Sequence, residues 1–234
     1  MNKTLVVVFC YNVEKNINNI LKKIKKYNLN NKKDFLFIDD CSTDNTNKIL
    51  KSKKIKNAKI IKNKNNKGFG PNYKFSIKYS VNKKYKKLIF LHGDNQYPSE
   101  KVPLIDKKLE YSDLCYGSRR LNIKSMKANM PILRFVANIM LTNFINLLLN
   151  SNFTEYFSGF RGLRVKSLKE LNLINFANSW IIEQQIHFNF INNKKKITEI
   201  PIPTVYKKTQ KSKIPPFSYV FSVIINTIKF AFRG

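Results

Sequence analysis

The stretch FLFIDDCSTD (residues 35–44) joins an apolar run to two adjacent acids and then to residues that often begin helices. Its first four residues have the length and composition of a buried strand. Ser42 and Asp44 can satisfy the free amide groups at the start of a following helix. Capping leaves Asp39 and Asp40 unexplained, and an acid at this place in a nucleotide-binding α/β sheet can accept hydrogen bonds from a base or ribose. The stretch therefore predicts a strand-to-helix turn with a ligand site beside it.

The first half of the chain alternates short strand-like runs with helical stretches, which is the pattern of a mostly parallel α/β sheet flanked by helices. The predicted strands are 4–9, 35–38, 58–61, 88–91 and 114–116, and the predicted helices between them are 14–27, 44–53, 71–81 and 100–110. Ligands of such sheets bind beyond the carboxyl ends of the strands. The loops after the first, second and fourth strands should therefore line one site.

Beyond Arg120 the pattern changes to long apolar helical stretches, a short strand at 197–202 and a Phe-rich final helix. We expect one domain over residues 1–206, a mobile and proline-bounded loop over 207–216, and an amphipathic tail over 217–234. No internal repeat is visible, so the sequence predicts one domain with an appendage.

Two apolar runs, 135–149 and 217–232, are interrupted by polar residues and fall short of the roughly 20 apolar residues that a spanning helix needs. Either could lie in a lipid headgroup layer, or both could simply cover the sheet. For the second run, the aromatic residues between Lys213 and Arg233 favour a membrane-surface anchor. With no visible signal peptide, we expect a cytoplasmic protein that is peripheral on the cytoplasmic face of the membrane.

The net charge of +30, from 44 Lys and Arg against 14 Asp and Glu, suggests nucleic acid or an anionic membrane as a partner. The lysines are spread through every segment, and no aromatic-interleaved basic stripe or known nucleic-acid module is present. We therefore expect no nucleic-acid partner. Three scattered cysteines and two histidines also argue against a disulfide framework and a histidine-built zinc site.

The stretch HGDNQYP (residues 92–98) follows the fourth predicted strand. Gly93 allows a tight turn, and the alternation of Asp94 and Gln96 directs both side chains to the same side. Their oxygens suit Mg²⁺ or Mn²⁺, which could bridge a diphosphate and neutralise charge on a departing nucleotide. A simple polar turn is the equally weighted alternative, because Gly-Asp-Asn is common in turns.

Seven segments in order resemble the family-2 glycosyltransferases, most closely the branch of the dolichol-phosphate mannose synthases. The segments are YNVE (11–14), FIDDCSTD (37–44), KGFG (67–70), LHGDNQYP (91–98), GSR (117–119), SGFR (158–161) and EIPIP (199–203). The resemblance implies the GT-A fold, a Rossmann-like and mostly parallel sheet, here with amphipathic C-terminal helices. It also implies an inverting, metal-dependent enzyme that moves a sugar from a UDP- or GDP-sugar to a polyprenyl phosphate or another membrane-associated acceptor.

The resemblance further implies roles for individual residues. The implied donor contacts are Phe9, Tyr11, Glu14, Ile38, Asp40, Gly93, Asp94, Lys207 and Lys213. The implied metal ligands are Asp94 and Gln96. His92 stands where the family has another acid. A neutral imidazole could still ligate, which would favour Mn²⁺ over Mg²⁺, or it could contact the sugar while Asp94 and Gln96 keep the ion. Arg119 is implied to face the phosphates or the transferred sugar, and Ser158 and Arg161 to lie at or behind the acceptor.

The attacking group decides whether the reaction needs a base. A polyprenyl phosphate oxygen is already anionic, whereas a sugar hydroxyl needs a carboxylate within hydrogen-bond reach. Glu155 is the candidate base, although an acid there could instead cap a helix or pair with Arg161. The His92 substitution leaves a third interpretation open, a non-catalytic homologue that binds nucleotide sugars. The sugar, the nucleotide and the oligomeric state are not assigned by the sequence.

Overall fold

The computed structural model describes residues 3–27, 33–53, 55–205 and 216–232. Its strands are β1 (Thr4–Cys10), β2 (Lys33–Asp39), β3 (Ala58–Lys62), β4 (Lys87–His92), β5 (Leu114–Ser118), β6 (Arg161–Arg164) and β7 (Ile197–Pro201). Its helices are α1 (Glu14–Tyr27), α2 (Thr46–Ser52), α3 (Phe69–Asn82), α4 (Val102–Lys108), α5 (Ile123–Asn129), α6 (Ile132–Leu148), α7 (Val165–Leu168), α8 (Ile182–Asn192) and α9 (Pro216–Ala231).

The strands form one sheet in the order β3-β2-β1-β4-β6-β5-β7. Strand β1 pairs in parallel with β2 and β4, β2 with β3, and β5 with β7. Strand β6 runs antiparallel between β4 and β5. The carboxyl ends of β1, β2, β4 and β5 therefore open on the same edge of the sheet, as the sequence predicts for a mostly parallel α/β fold.

Both faces of the sheet are covered by helices. Along β1, Val6 and Val8 are buried on one face together with Ile17 of α1. Leu5 and Val7, which alternate with them, are buried on the other face, where α3 and α8 pack. Strands covered on both sides need apolar residues at successive positions, which explains the unbroken apolar run of β1.

Two elements differ from the predictions made above. Strand β6 was not expected, because its sequence RGLR lacks the β-branched and aromatic residues that mark strands. Gly162 is required there, since a Cβ at that position would lie 2.5 Å from the Ile105 side chain of α4. The helix that contains the apolar run 135–149 also begins earlier than that run, because α6 starts at Ile132, directly after Pro131 with its extended backbone.

Helix α9, predicted as an amphipathic tail, shares an apolar cluster with α6 and α8. Its Tyr219 ring stacks on Trp180 with 4.4 Å between centroids, and Phe230 packs edge-on against Phe188 at 5.6 Å. Val223 is fully buried in the same cluster. Within the described ranges, no helix is both long enough and apolar enough to span a bilayer.

Candidate functional site

The loops after β1 and β2 are tied together by hydrogen bonds. Ser42 accepts from the Asn12 amide at 3.0 Å, and Asp44 accepts from the Glu14 amide at 3.0 Å. The Glu14 carboxylate in turn accepts from the Asn45 amide at 2.9 Å. The structure therefore uses Glu14, Ser42 and Asp44 to cap and join two helix starts, and the Glu14 donor contact stays a prediction.

Residues with left-handed backbone occur just beyond three strand ends. They are Asn12 (φ 51°) after β1, Cys41 (φ 65°) after β2 and Asn95 (φ 59°) after β4. Asparagine tolerates this conformation better than most residues, whereas Cys41 gains no such benefit. These turns bring the three loops together at the carboxyl edge of the sheet, where the sequence predicts the site.

Asp40 holds the loop between β3 and α3. Its carboxylate accepts hydrogen bonds from the amides of Lys67 and Gly68, both at 2.9 Å, and from the Asn63 side chain at 2.7 Å. Burial would raise the pKa of Asp40, but these hydrogen bonds outweigh it and lower that pKa. Gly68 takes a φ of 81° in this turn. Asp40 is therefore ionised and engaged in supporting the loop, while its donor contact stays a prediction.

Asp94 and Gln96 lie on the short loop after β4, and both are half-buried. The Gln96 amide donates to Asp94 Oδ1 at 3.1 Å, which fixes the carboxylate over the loop. Gly93 is tightly enclosed, because a Cβ there would lie 3.0 Å from the Phe9 carbonyl oxygen and 3.1 Å from Cys10 Sγ. The position after β4 thus requires glycine, and the following acid is held at the sheet edge.

The oxygens of Asp94 and Gln96 fit a hard divalent cation only as part of a larger ligand set. Among the described residues, no group of three or more His, Cys, Asp or Glu side chains could hold a metal ion alone. Mg²⁺ sites in nucleotide enzymes commonly use one or two carboxylates together with the substrate phosphates. The chemistry of this loop is compatible with that arrangement.

His92 lies in an aromatic setting at the end of β4. Its ring packs edge-on against Tyr97 at 5.1 Å and Phe69 at 5.7 Å. A Cβ at Gly159 would lie 3.0 Å from His92 Nε2, and that nitrogen is buried with no hydrogen-bond partner in the described part of the chain. The imidazole thus lies against the turn formed by residues 158–160, called the SGF turn below. Its role as a metal ligand stays a prediction.

The other implied donor contacts differ in how open they are. Tyr11 is exposed, and Phe9 is half-buried between Phe69 and Phe90, with ring centroids 5.3 and 5.6 Å away. Ile38 is 1% exposed within the core on the α3 face, so the structure does not bring its side chain to the loop surface. Lys207 and Lys213 lie outside the described residues.

A small cavity of about 30 Å³ brings three separate sequence segments together. It is lined by Gln96, Tyr97, Arg119, Pro203 and Val205. Gln96 comes from the loop after β4, Arg119 from the end of β5, and Pro203 from the segment after β7. A larger cavity of about 320 Å³ near the C-terminal half of α8 contains none of the predicted site residues. We place the candidate site at the smaller cavity because two of the predicted site residues, Gln96 and Arg119, line it.

Arg119 and Glu155 form a buried ion pair beside this cavity. Glu155 Oε2 accepts from the Arg119 amide at 2.6 Å, and Oε1 accepts from Arg119 Nε at 2.7 Å and from Nη2. Asn138 of α6 donates to Oε1 at 3.2 Å. Glu155 is fully buried. Its ion-pair partner in the structure is Arg119, and not Arg161, which the sequence analysis considered.

Arg161 lies behind the site with its side chain fully buried. Its guanidinium donates to the carbonyl oxygens of Ser158 at 2.5 Å and Glu183 at 2.8 Å. Nε also lies 3.5 Å from Glu183 Oε1. Burial raises the pKa of Glu183, and the charge of Arg161 opposes that rise. Arg161 and Ser158 thus fix the SGF turn against α8, and their proximity to an acceptor stays a prediction.

Sequence reasoning missed several residues that organise the site. The Tyr97 hydroxyl accepts from the Gly159 amide at 2.8 Å, and burial raises the Tyr97 pKa to about 12, so the phenol stays neutral. Asn138 is one of the polar residues that interrupt the apolar run 135–149. Glu183 has no motif of its own. The available signal for Asn138 was its polar character inside an otherwise apolar helix face.

Comparison with known proteins gives a consistent family. The family described as glycosyl transferase family 2 matches residues 5–172. The UDP-N-acetylglucosamine–dolichyl-phosphate N-acetylglucosaminyltransferase of Methanococcus voltae is 29% identical over 86% of this chain and 85% of its own. The undecaprenyl-phosphate mannosyltransferase of Micrococcus luteus is 23% identical over 77% of this chain and 75% of its own.

Among solved structures, glucosyl-3-phosphoglycerate synthase of Mycobacterium tuberculosis superposes with a TM-score of 0.70 at 14% identity. The match covers 99% of this chain and 79% of that one, and that crystal contains Mn²⁺, UDP and phosphoglyceric acid. Another structure of the same enzyme contains Mn²⁺ with UDP-glucose. At this identity the likeness establishes the GT-A fold that the sequence predicts.

Proposed function

Because the chain belongs to glycosyl transferase family 2, we propose that it transfers a sugar from a UDP-sugar to a polyprenyl phosphate at a membrane surface, with inversion and with a divalent cation. The chain is a glycosyltransferase, in line with its named relatives. The donor, the cation, the acceptor and the stereochemistry are the proposed parts.

The observation that carries this proposal is the cavity shared by Gln96 and Arg119. Asp94 and Gln96 would hold Mg²⁺ or Mn²⁺, and Arg119 lines the same cavity as Gln96. The cation, when bound, supplies charge neutralisation to the departing diphosphate. Arg119 adds a second positive charge, and preorganised charges of this kind stabilise a developing anion without reorganising solvent.

A uridine donor is favoured by the relatives. The M. voltae transferase is named for UDP-N-acetylglucosamine, and the M. tuberculosis enzyme was crystallised with UDP-glucose. We expect calorimetry to detect Mn²⁺-dependent binding of UDP at least about tenfold tighter than that of GDP, a difference of about 1.4 kcal/mol. Equal or tighter binding of GDP would overturn the uridine assignment. Failure to bind either nucleotide would favour the non-catalytic interpretation.

A phosphate acceptor is favoured over a sugar hydroxyl. Both named relatives act on a polyprenyl phosphate, dolichyl or undecaprenyl. A phosphate oxygen attacks without losing a proton, so it needs no base. The candidate base Glu155 has both carboxylate oxygens engaged by Arg119, which leaves it poorly placed to take a proton from a hydroxyl.

An apolar surface on α6 and α9 would bring the enzyme to its lipid acceptor. Five apolar residues of α6 fall within an arc of about 100° on the helix, and their exposed fractions lie between 44% and 83%; they are Ile132, Leu133, Val136, Met140 and Leu147. Helix α9 packs on α6. Its Phe221 is 65% exposed, and Phe232, the residue that follows the end of α9, is 77% exposed. Exposed stripes of this kind mark membrane or partner contacts, and the net charge of +30 favours anionic lipid.

Replacing Leu133 and Met140 together by Gln is expected to weaken binding to anionic lipid vesicles by about tenfold or more, since burying one such side chain contributes about 1.5–3 kcal/mol. Vesicle flotation with an anionic phospholipid measures the bound fraction. Leu104→Gln is the matched control, because Leu104 is 37% exposed on α4, a helix that packs against β4, β5 and β6. An equal effect of the control would refute the assigned surface.

A further inference from the structure

Both carboxylate oxygens of Glu155 accept hydrogen bonds beside the candidate site. Its Oε2 accepts from the Arg119 amide, and its Oε1 accepts from Arg119 Nε and Nη2 and from Asn138 Nδ2. One side chain therefore fixes both the backbone and the guanidinium of Arg119. The residue before it, Thr154, is itself anchored by a 2.6 Å hydrogen bond to Glu199 of β7.

We propose that Glu155 is a positioning residue that holds Arg119 at the cavity, and that Asn138 extends this hold to helix α6. The inference rests on the proposed function, because it gives Arg119 the task of meeting phosphate. It also replaces the base role considered for Glu155, since a base must reach the attacking oxygen, and this carboxylate is enclosed by Arg119 and Asn138.

Asn138 links helix α6 to the Arg119–Glu155 ion pair. Asn138 is 7% exposed and lies on the inner face of α6, opposite the exposed apolar stripe. The chain of contacts therefore runs from the lipid-facing helix through Asn138 and Glu155 to Arg119. The orientation of Arg119 depends on the position of α6, so the donor diphosphate would meet an arginine whose orientation is already fixed.

The first test is a kinetic cycle on the full chain, in which sugar transfer to a polyprenyl phosphate is measured for Glu155→Gln, Arg119→Met and the double variant. Misplacing a positioned group by about 1 Å can cost about 100-fold in rate, and we expect Glu155→Gln to lose that order of activity. In the Arg119→Met background the same change should cost less than about twofold. A base or a purely structural role predicts a full further loss there, and would refute the proposal.

The shape of the pH profile gives a second kinetic readout. Loss of a general base removes the acidic limb of the profile, whereas loss of a positioning residue lowers the profile and leaves its shape unchanged. We expect the Glu155→Gln profile to be parallel to that of the parent. Glu170→Gln is the matched control, since Glu170 pairs with Lys195 at the surface, and its rate should equal the parent rate.

An NMR measurement keeps the inference testable if the chain transfers no sugar to lipid phosphate, an outcome that would refute the proposed acceptor alone. The Nε–H signal of Arg119, assigned by its loss in Arg119→Lys, should be protected from solvent exchange in the parent. It should lose protection in Glu155→Gln and partly in Asn138→Ala, while circular dichroism shows each variant folded. Unchanged protection in folded Glu155→Gln would overturn the positioning role.

Discussion

Replacing Asp94 by Ala is expected to reduce sugar transfer by about a thousandfold, or about 4 kcal/mol of transition-state stabilisation, with the fold intact. Asp94 is the one carboxylate on the loop between β4 and α4 that lies beside Gln96, and Gln96 lines the candidate cavity. Its removal leaves the proposed cation without a protein carboxylate, held only by Gln96 and the donor phosphates. The measurement is steady-state transfer with saturating Mn²⁺, together with Mn²⁺-dependent UDP binding.

Two further variants separate charge from local structure. Asp94→Asn keeps an oxygen that can accept from the Gln96 amide but lacks the negative charge, so it should fail nearly as badly as Asp94→Ala. Glu100→Ala removes a carboxylate from the same region that pairs with Lys23 at the surface, and it should keep near-parent activity. Full activity in Asp94→Ala would contradict the metal assignment.

Replacing Arg161 by Met is expected to lower the free energy of unfolding by about 3–5 kcal/mol, because breaking a buried ion pair leaves its partner uncompensated. The partner is Glu183, and carbonyl oxygens of the SGF turn and α8 also lose their donor. Urea denaturation, with activity measured separately, tests this. Arg164→Met is the control, since Arg164 also donates to carbonyl oxygens, of Leu109 and Glu110, but is less buried, and it should cost about 1 kcal/mol.

The loss of unfolding free energy caused by Arg161→Met should depend on pH, and the sign of that dependence follows from Glu183. Burial raises the pKa of Glu183 and Arg161 opposes the rise, so losing Arg161 raises that pKa further. A folded-state acid with a raised pKa binds more protons than the unfolded chain, so stability falls as pH rises. The loss should therefore shrink as the pH is lowered below the raised pKa of Glu183. A loss of unfolding free energy that is no greater than that of Arg164→Met at every pH tested would contradict the role given to Arg161.

Periodicity predicted the part of the fold whose strands are buried on both faces. The run Phe35–Ile38 and the run Leu88–Leu91 are apolar at every position because helices cover both sides of the sheet. Strand β6 escaped prediction because a glycine and two arginines dominate it. Its place between β4 and β5 depends on long-range pairing, which local residue preferences do not encode.

The sequence predicted which loops meet at the carboxyl edge of the sheet, but it did not predict the partners of their acids. Asp40, Glu14 and Glu155 were each identified as candidate ligands or a candidate base. In the structure Asp40 supports Lys67 and Gly68, and Glu14 caps Asn45. Glu155 binds Arg119, 36 residues away in sequence. An isolated acid in a sequence reveals its charge, but its task depends on which donors the fold brings within hydrogen-bond distance.

The same limit applies to helices α6 and α9. Their apolar composition left two alternatives open, a membrane surface or a cover for the sheet. In the structure each helix buries one face and exposes apolar residues on the opposite face. Val223 and Ile145 are buried, while Phe221 and Leu133 are 65% and 83% exposed. A helix that is apolar on both sides gives no sequence signal for which side meets the protein.

The most direct test of the account is the transfer of radiolabelled sugar from UDP-N-acetylglucosamine and UDP-glucose to a polyprenyl phosphate in anionic vesicles, with Mn²⁺ and then with excess EDTA. We expect label from one donor to enter the lipid fraction, Asp94→Ala to reduce the transfer by about a thousandfold, and EDTA to stop it. Binding of UDP without labelled lipid from either donor, or transfer that persists in EDTA, would contradict the account.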